Sequence, residues 1–335
     1  MSAPPAVRNV RVRRVWALEV LDPGPLTTLQ DLGRPGWAHL GVTASGAADL
    51  PSLALANRLV GNPENTAALE TTYGGLRVRI GAWQVDARRA DARAPGAAPG
   101  GGSGSAPGVV WAALTGAPCP AVLDGRPVGM DAPFAVADGQ VLGLGAPTAG
   151  LRTYLALRGG PDVPATLGSR STDLLSGLGP APLAAGDILP LAPPGGALPG
   201  VDLAPRAALP GPRSGSGSGP GDFVLRVVPG PRDEWFDAAA VAALYGEPWT
   251  ATSRSNRVGV RLDGPVLGRA RAGELPAEGM VRGALQVPPN GQPILFLADH
   301  PVTGGYPVIG VVHAADLPLA GQLPPGATVR FRRSR

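Results

Sequence analysis

Short β-type runs, each closed by turn chemistry, constrain this chain more than any other feature of its sequence. Trp16–Leu21 (WALEVL), Leu76–Ile80 (LRVRI), Arg152–Leu157 (RTYLAL), Phe223–Val228 (FVLRVV) and Thr328–Arg332 (TVRFR) are rich in Val, Leu and aromatics. Several of them alternate apolar with polar residues, as half-buried strands do. Ile294–Ala298 and Val308–Val312 are continuously apolar, which suits strands covered on both faces. Between the runs stand Asp22-Pro23-Gly24, Asp124-Gly125, Asp138-Gly139, Pro229-Gly230, Asp263-Gly264, Asn290-Gly291 and Pro325-Gly326. Asp-Gly and Asn-Gly pairs supply the positive φ angles of tight hairpins. The pattern predicts a mainly β fold of closed or nearly closed sheets with a few short helices.

Two segments have helical spacing. Asp49–Val60 has a capping Asp49, Pro51 in the first turn and Gly61 after the last. Asp233–Tyr245 would bury Trp235, Phe236, Val241 and Leu244. Composition then sets the domains. Fifty glycines and forty prolines in 335 residues would suit a disordered chain. They crowd, however, into 90–108 and 190–221, and only 16% of residues are charged. The expected organisation is a basic leader over 1–15, a β domain over 16–189 with a flexible insertion at 90–108, a linker over 190–221 and a second β domain over 222–335.

Every basic residue is arginine, and the absence of lysine excludes a phosphate-binding P-loop lysine, a Schiff base, or a biotin carried on this chain. The arginines are scattered apart from Arg8, Arg11, Arg13 and Arg14, without aromatic interleaving, so nucleic acid is not an expected partner. One cysteine, Cys119, forms no internal disulfide, and His39, His300 and His313 lack metal-site spacing, so no metal is expected. Neither a signal peptide nor an apolar run long enough to span a membrane is evident, and a cytoplasmic protein is expected.

Polar residues that a core would not need gather in four segments. In Thr27–Asp49, Gln30, Asp31, Arg34, Ser45 and Asp49 stand among Gly33, Gly36, Gly41 and Gly46. Glycine lets backbone approach a ligand, and arginine grips carboxylate or phosphate bidentately. Solvated turn side chains are the plainer alternative. Gly159–Asp173 adds Ser169, Arg170, Ser171 and Thr172; Ser253–Leu262 adds Arg254, Arg257 and Arg261. Gln286–Pro307 carries Gln286, then Asp299 at the end of an apolar strand, then Thr303 and Tyr306 about the Gly304-Gly305 turn. No GxSxG elbow and no strand-borne GxGxxG occurs, so a serine triad and a dinucleotide fold are not expected.

These segments resemble the biotin-dependent carboxyltransferase family, which includes the C-type subunits of 5-oxoprolinase, KipA-type proteins and part of urea carboxylase, and whose members are often described as allophanate hydrolase subunit 2. The resemblance is carried by Pro23–Glu70 (PGPLTTLQDLGRPGWAHLGVTASGAAD…), Thr115–Ala117, Arg152–Asp173, Ala185–Leu189, Ser255–Gly264, Ala284–Asp299 and Thr303–Leu317. Val258 and Val302 depart from the family's usual methionine and threonine, and 90–108 interrupts strands that the family joins more directly. The resemblance implies two cyclophilin-like β-barrel domains. It also implies a hydrolase that acts on a cyclic amide in a hetero-oligomer, with the B-type (KipI-like) and A-type subunits of 5-oxoprolinase as partners. Such a complex hydrolyses 5-oxo-L-proline to L-glutamate using ATP. The alternatives are a urea carboxylase or allophanate system with biotin on a partner, and a non-catalytic regulatory binder of a KipI-type partner. On this resemblance Arg34 and Arg257 bind carboxylate or phosphate. Asp31 or Asp299 acts as general base, Gln286 and Tyr306 orient the substrate, and Gln30, Ser45, Asp49 and Thr303 line the site.

Overall fold

The computed structural model describes residues 12–86, 108–204, 208–210, 222–271, 273 and 275–334. In the first half the strands are β1 (Val12–Pro23), β2 (Leu26–Gln30), β3 (Ala68–Thr72), β4 (Leu76–Asp86), β5 (Val109–Gly116) and β6 (Ala121–Leu123). They continue with β7 (Arg126–Pro127), β8 (Pro133–Ala137), β9 (Gln140–Leu144), β10 (Arg152–Leu157) and β11 (Ile188–Pro190). One sheet has the order β11-β1-β4-β9-β6-β7 and the other β2-β3-β10-β5-β8. Their facing sides share one core, with Leu18, Val20, Val78, Ile80 and Leu142 from the first sheet against Leu29, Leu69, Leu114, Leu155 and Leu157 from the second.

Helix α1 (Leu50–Leu59) covers the outer face of the second sheet, packing Leu53, Ala56 and Leu59 on Ala113, Tyr154 and Ala156. This explains why β10 is buried along its whole length: odd and even residues each meet an apolar layer. Asp49 caps α1 by accepting the Ser52 N–H at 3.1 Å, and Pro51 lies in its first turn.

The second half comprises β12 (Phe223–Pro229), β13 (Trp249–Ala251), β14 (Gly259–Asp263), β15 (Glu278–Gly279) and β16 (Ala284–Gln286). The remaining strands are β17 (Ile294–Phe296), β18 (Thr303–Gly304), β19 (Val308–Val312) and β20 (Thr328–Arg333). Seven strands close a barrel in the order β12-β19-β16-β17-β14-β13-β20, sealed by the parallel β12–β20 pairing, while β15 and β18 form a separate ribbon. Leu225, Val260, Leu285, Leu295, Ile309 and Val329 share the barrel's core with Leu244 of α2 (Ala238–Gly246) and with Ala320 of the short α3 (Leu317–Ala320). The mainly β expectation therefore holds. No helix among the described residues is long and apolar enough to cross a membrane.

Three expectations need amendment. The segment 233–245 is not one helix: a 3-10 turn at Asp233–Trp235 precedes α2, whose start is set by Asp237 accepting the Ala240 N–H at 2.6 Å. Strand β1 begins at Val12, inside the stretch read as leader; residues 1–11 and most of the 90–108 insertion lie outside the described residues. The early part of the 190–221 segment is an arm on the first half. Leu191 bridges Pro161, Arg158 donates to the carbonyls of Gly195 (3.2 Å) and Gly196 (2.6 Å), and the Ala204 N–H donates to Asp131 O. Of the turn glycines, Gly24, Gly125, Gly139, Gly291 and Gly326 have positive φ. Gly230 and Gly264 serve close packing instead: a Cβ there would stand 2.2 Å from Val308 O and 2.6 Å from the Trp249 ring respectively.

Candidate functional site

Three groups of polar side chains stand apart from the apolar cores. The first is built where β2 ends. Asp31 Oδ1 accepts from the Gly33 N–H (2.8 Å) and from the hydroxyls of Ser169 and Ser171 (2.6 Å each); Oδ2 accepts from the Arg170 N–H (2.6 Å). Oδ1 carries three of the four bonds and Oδ2 one. Asp31 thus pins the 31–34 loop to the 169–171 loop. Gly33, at φ +89°, lets the same loop close on the 44–45 segment, since a Cβ would lie 2.4 Å from Ala44 O.

Gln30 and Arg34 reach the same loop. Gln30 Nε2 donates to Thr28 Oγ1 (3.0 Å) and Thr172 O (2.9 Å). Arg34 Nε donates to Thr166 O (3.3 Å) and Nη2 to Ser171 O. Beyond them Asp173 accepts from Thr43 Oγ1 (3.0 Å), Ser176 Oγ (2.6 Å) and two backbone N–H groups. Burial pushes its carboxyl up, but the hydrogen bonds from Ser176, Leu175 and Thr43 outweigh this and hold it below the usual range.

The second group crosses from one half of the chain to the other. Arg257 is fully buried and forks onto Asp299, with Nε to Oδ2 at 3.0 Å and Nη2 to Oδ1 at 2.9 Å. Its Nη1 donates to Glu70 Oε1 on β3 and its Nη2 to Gly46 O at 2.6 Å. Asp299 also accepts from Ser45 Oγ (2.6 Å) and the Leu174 N–H (3.0 Å), which joins this group to the first, because Ser45 Oγ also lies 3.3 Å from Thr172 O.

Glu70 accepts further from Tyr154 O–H and the Ala48 N–H, each at 2.8 Å, and Arg152 Nε stands 3.4 Å away as an ion pair out of hydrogen-bond alignment. Burial raises the Glu70 carboxyl, but Arg257 and Arg152 outweigh burial and hold it below its ordinary value. Burial likewise opposes the Arg257 charge, and Glu70 and Asp299 reverse that, raising its pKa. Asp49 accepts from Gln322 Nε2 (2.8 Å), which ties the α1 cap to the far end of the second half.

The third group lies on the barrel's ribbon side. Gln286 on β16 donates to Tyr306 O (3.1 Å) and approaches Met280 Sδ (3.7 Å). Tyr306 is 44% exposed and the Arg269 guanidinium carbon lies 6.0 Å from its ring centre. Thr303 is exposed on β18. A Cβ on Gly304 would stand 2.4 Å from Gln286 Nε2, so this glycine leaves room for the amide where it lies.

The structure therefore unites Gln30, Asp31, Arg34, Ser45, Asp49, Arg257 and Asp299 in one continuous hydrogen-bonded assembly. Gln286, Thr303 and Tyr306 form a separate, more open face. Sequence reasoning missed Glu70, Arg152, Tyr154 and Gln322. The one available signal was a glutamate inside the otherwise strand-like Ala68–Thr72. Among the described residues no group of three His, Cys, Asp or Glu could hold a metal ion. A cleft of about 770 Å³ between α1 and the 195–204 arm, lined by Leu55, Leu59, Pro199 and Val201, lies apart from these polar groups.

Comparison with known proteins agrees with this architecture. Residues 40–87 and 98–333 match the family model described as "Carboxyltransferase domain, subdomain A and B". The chain is 37% identical to the C subunit of 5-oxoprolinase from Escherichia coli K12 over 94% of this chain and 90% of that protein. It is 32% identical to urea amidolyase of Lachancea kluyveri over 94% of this chain, which is only 17% of that enzyme. The crystal structure of TTHA0988 superposes with a TM-score of 0.77 at 33% identity, covering 99% of this chain and 59% of that one.

Proposed function

We propose, from the premise that the chain belongs to the carboxyltransferase family of subdomains A and B, that it is the C-type subunit of a 5-oxoprolinase complex. The complex opens the lactam of 5-oxo-L-proline to L-glutamate and consumes ATP. The observation that carries this reading is the likeness to the C subunit of the Escherichia coli 5-oxoprolinase, which runs through nearly the whole of both chains.

Opening a lactam requires a weakly electrophilic carbonyl to be polarised, its developing oxyanion stabilised, and water activated. Asp31 and Asp299 each already accept four hydrogen bonds, so in this reading they position loops rather than take protons. Arg257, with Ser45 and Asp49, holds the two halves in register. Gln30 and Arg34 meet the substrate, and Gln286, Thr303 and Tyr306 form the open side of the site. The missing base and the ATP chemistry come from the A-type and B-type partners.

The test is reconstitution. The chain, each partner and the full mixture are assayed for ATP-dependent glutamate release from 5-oxo-L-proline. Only the full mixture should be active. Turnover by the isolated chain would remove the subunit assignment.

The likeness to urea amidolyase favours one second reading, transfer of a carboxyl group from biotin. With no lysine on this chain, the biotin would sit on a partner. Avidin inhibition of the complex, with turnover that depends on urea, would select that reading over the first.

A further inference from the structure

A 5-oxoproline molecule carries an ionised carboxylate as well as its lactam, and the two arginines expected to take that carboxylate are already engaged. Arg257 is 0% exposed, forks onto Asp299 and donates to Glu70. Arg34 is 1% exposed and donates to the carbonyls of Thr166 and Ser171. Neither presents an open pair of N–H groups to solvent.

Arg269 differs. A guanidinium offers five N–H groups. Among the described residues Arg269 uses one of them, Nη2 donating to Val287 O at 2.9 Å, and its buried Nε has no partner. The Tyr306 ring centre lies 6.0 Å from its guanidinium carbon. These contacts set it against both segments of the open face. Val287 follows Gln286 in the chain, its N–H donates to Pro307 O at 3.0 Å, and Gln286 Nε2 donates to Tyr306 O at 3.1 Å.

The acids nearby are taken by other groups. Glu278, paired in register with Gly304 on the ribbon, accepts from Arg232 Nε at 2.9 Å, and Asp237, beside Gly268, caps α2. Arg269 thus brings to the Gln286–Tyr306 face a positive charge that forms no ion pair among the described residues. An anion with two coplanar oxygens is the partner such a guanidinium lacks.

We infer that Arg269 is a specificity-determining residue, which receives the carboxylate of the substrate beside the Tyr306 ring. This rests on the proposed 5-oxoproline reading and deepens it, because it gives the carboxylate to Arg269 in place of Arg34 and Arg257. Held in this way, the lactam lies on the open side of the site, where the proposed partner brings its base.

The experiment uses the assembled complex with 5-oxo-L-proline as substrate and 2-pyrrolidinone as competing inhibitor. The inhibitor keeps the ring, the C=O and the N–H and lacks the carboxylate. Arg269→Gln should raise KM for 5-oxo-L-proline about tenfold, the worth of one charge-assisted hydrogen bond, with kcat largely kept. The inhibition constant of 2-pyrrolidinone should not move, and Arg269→Lys should recover part of the lost affinity. A second measurement needs no variant: in the wild-type complex 5-oxo-L-proline should protect Arg269 from an arginine-directed dicarbonyl reagent, read by peptide mass, and 2-pyrrolidinone should not.

An unchanged KM in Arg269→Gln, or equal weakening of both compounds, overturns the inference while the function stands. If Arg269→Gln fails to fold, labelling of Arg269 that 5-oxo-L-proline does not slow overturns it in the same way. A wild-type complex that is assembled but inert toward 5-oxo-L-proline removes the functional reading and this inference with it.

Discussion

Replacing Arg257 with methionine removes the one side chain that touches Glu70, Gly46 and Asp299 together. Methionine fills much of the volume, so the loss is electrostatic. Asp299 keeps only Ser45 Oγ and the Leu174 N–H; Glu70 keeps Tyr154, the Ala48 N–H and the looser Arg152. Both acids are at most 1% exposed, and breaking a buried pair by deleting one partner costs about 3–5 kcal/mol.

The pH dependence gives a sharper signature. In the native protein the Glu70 carboxyl is held below its ordinary value of 4.5, so its contribution is present above that pH and is lost as pH falls through the lower folded value. Without Arg257 burial dominates and the carboxyl rises above 4.5, so the variant loses stability as pH climbs past that point. The gap between the two proteins, measured by urea denaturation, should therefore widen from pH 4.5 to pH 7. A gap below about 1 kcal/mol at pH 7, or one that is flat across that window, would refute the reasoning.

Gly304→Ala should displace the Gln286 amide, 2.4 Å from the new Cβ, and reduce turnover of the complex with Tm nearly unchanged; full activity would detach Gln286 from function. Burial depresses the pKa of His300 below 6.5, its bond to Pro301 O opposing this only in part. Stability should consequently fall as pH drops through 6.5, and His300→Ala should flatten that slope in thermal melts; equal slopes would exclude His300. Burial also pushes up the Cys119 thiol, against a weaker contact from Thr153, so a thiol reagent should react only after unfolding. Rapid labelling of native protein would contradict the packing.

Strand placement was legible because it depends on local pattern: Arg152–Leu157 and Val308–Val312 are strands over the ranges read from sequence. The α1 cap was legible for the same reason, Asp49 and Pro51 being local signals. The second helix was misplaced because two aspartates compete for its start, and it is Asp237 rather than Asp233 that reaches the helix N–H groups. Composition alone does not show that 190–204 is an arm tied to the first half by a few backbone hydrogen bonds, with most of its residues exposed. At the site, glycine-rich context exposed Asp31, Arg34 and Asp299. Glu70 stayed hidden because it sits in a strand and its principal partner is 187 residues away along the chain. The three-dimensional contact was also needed to see that the two chosen acids each accept four hydrogen bonds.

Those bonds bear on how the work would be divided in the proposed complex. A general base near neutral pH needs a free lone pair and a pKa close to the medium. In the linked clusters Glu70 and Asp173 are held low, Tyr154 is raised by burial with Glu70 and Asp49 adding to it, and Arg257 is raised. Asp299 accepts two bonds on each oxygen, Asp31 accepts three on Oδ1 and one on Oδ2, and the chain has no lysine. Such an assembly is suited to holding shape, because its acids are committed to hydrogen bonds and ion pairs. Under the proposed function, a partner subunit supplies the proton transfer across the open Gln286–Tyr306 face.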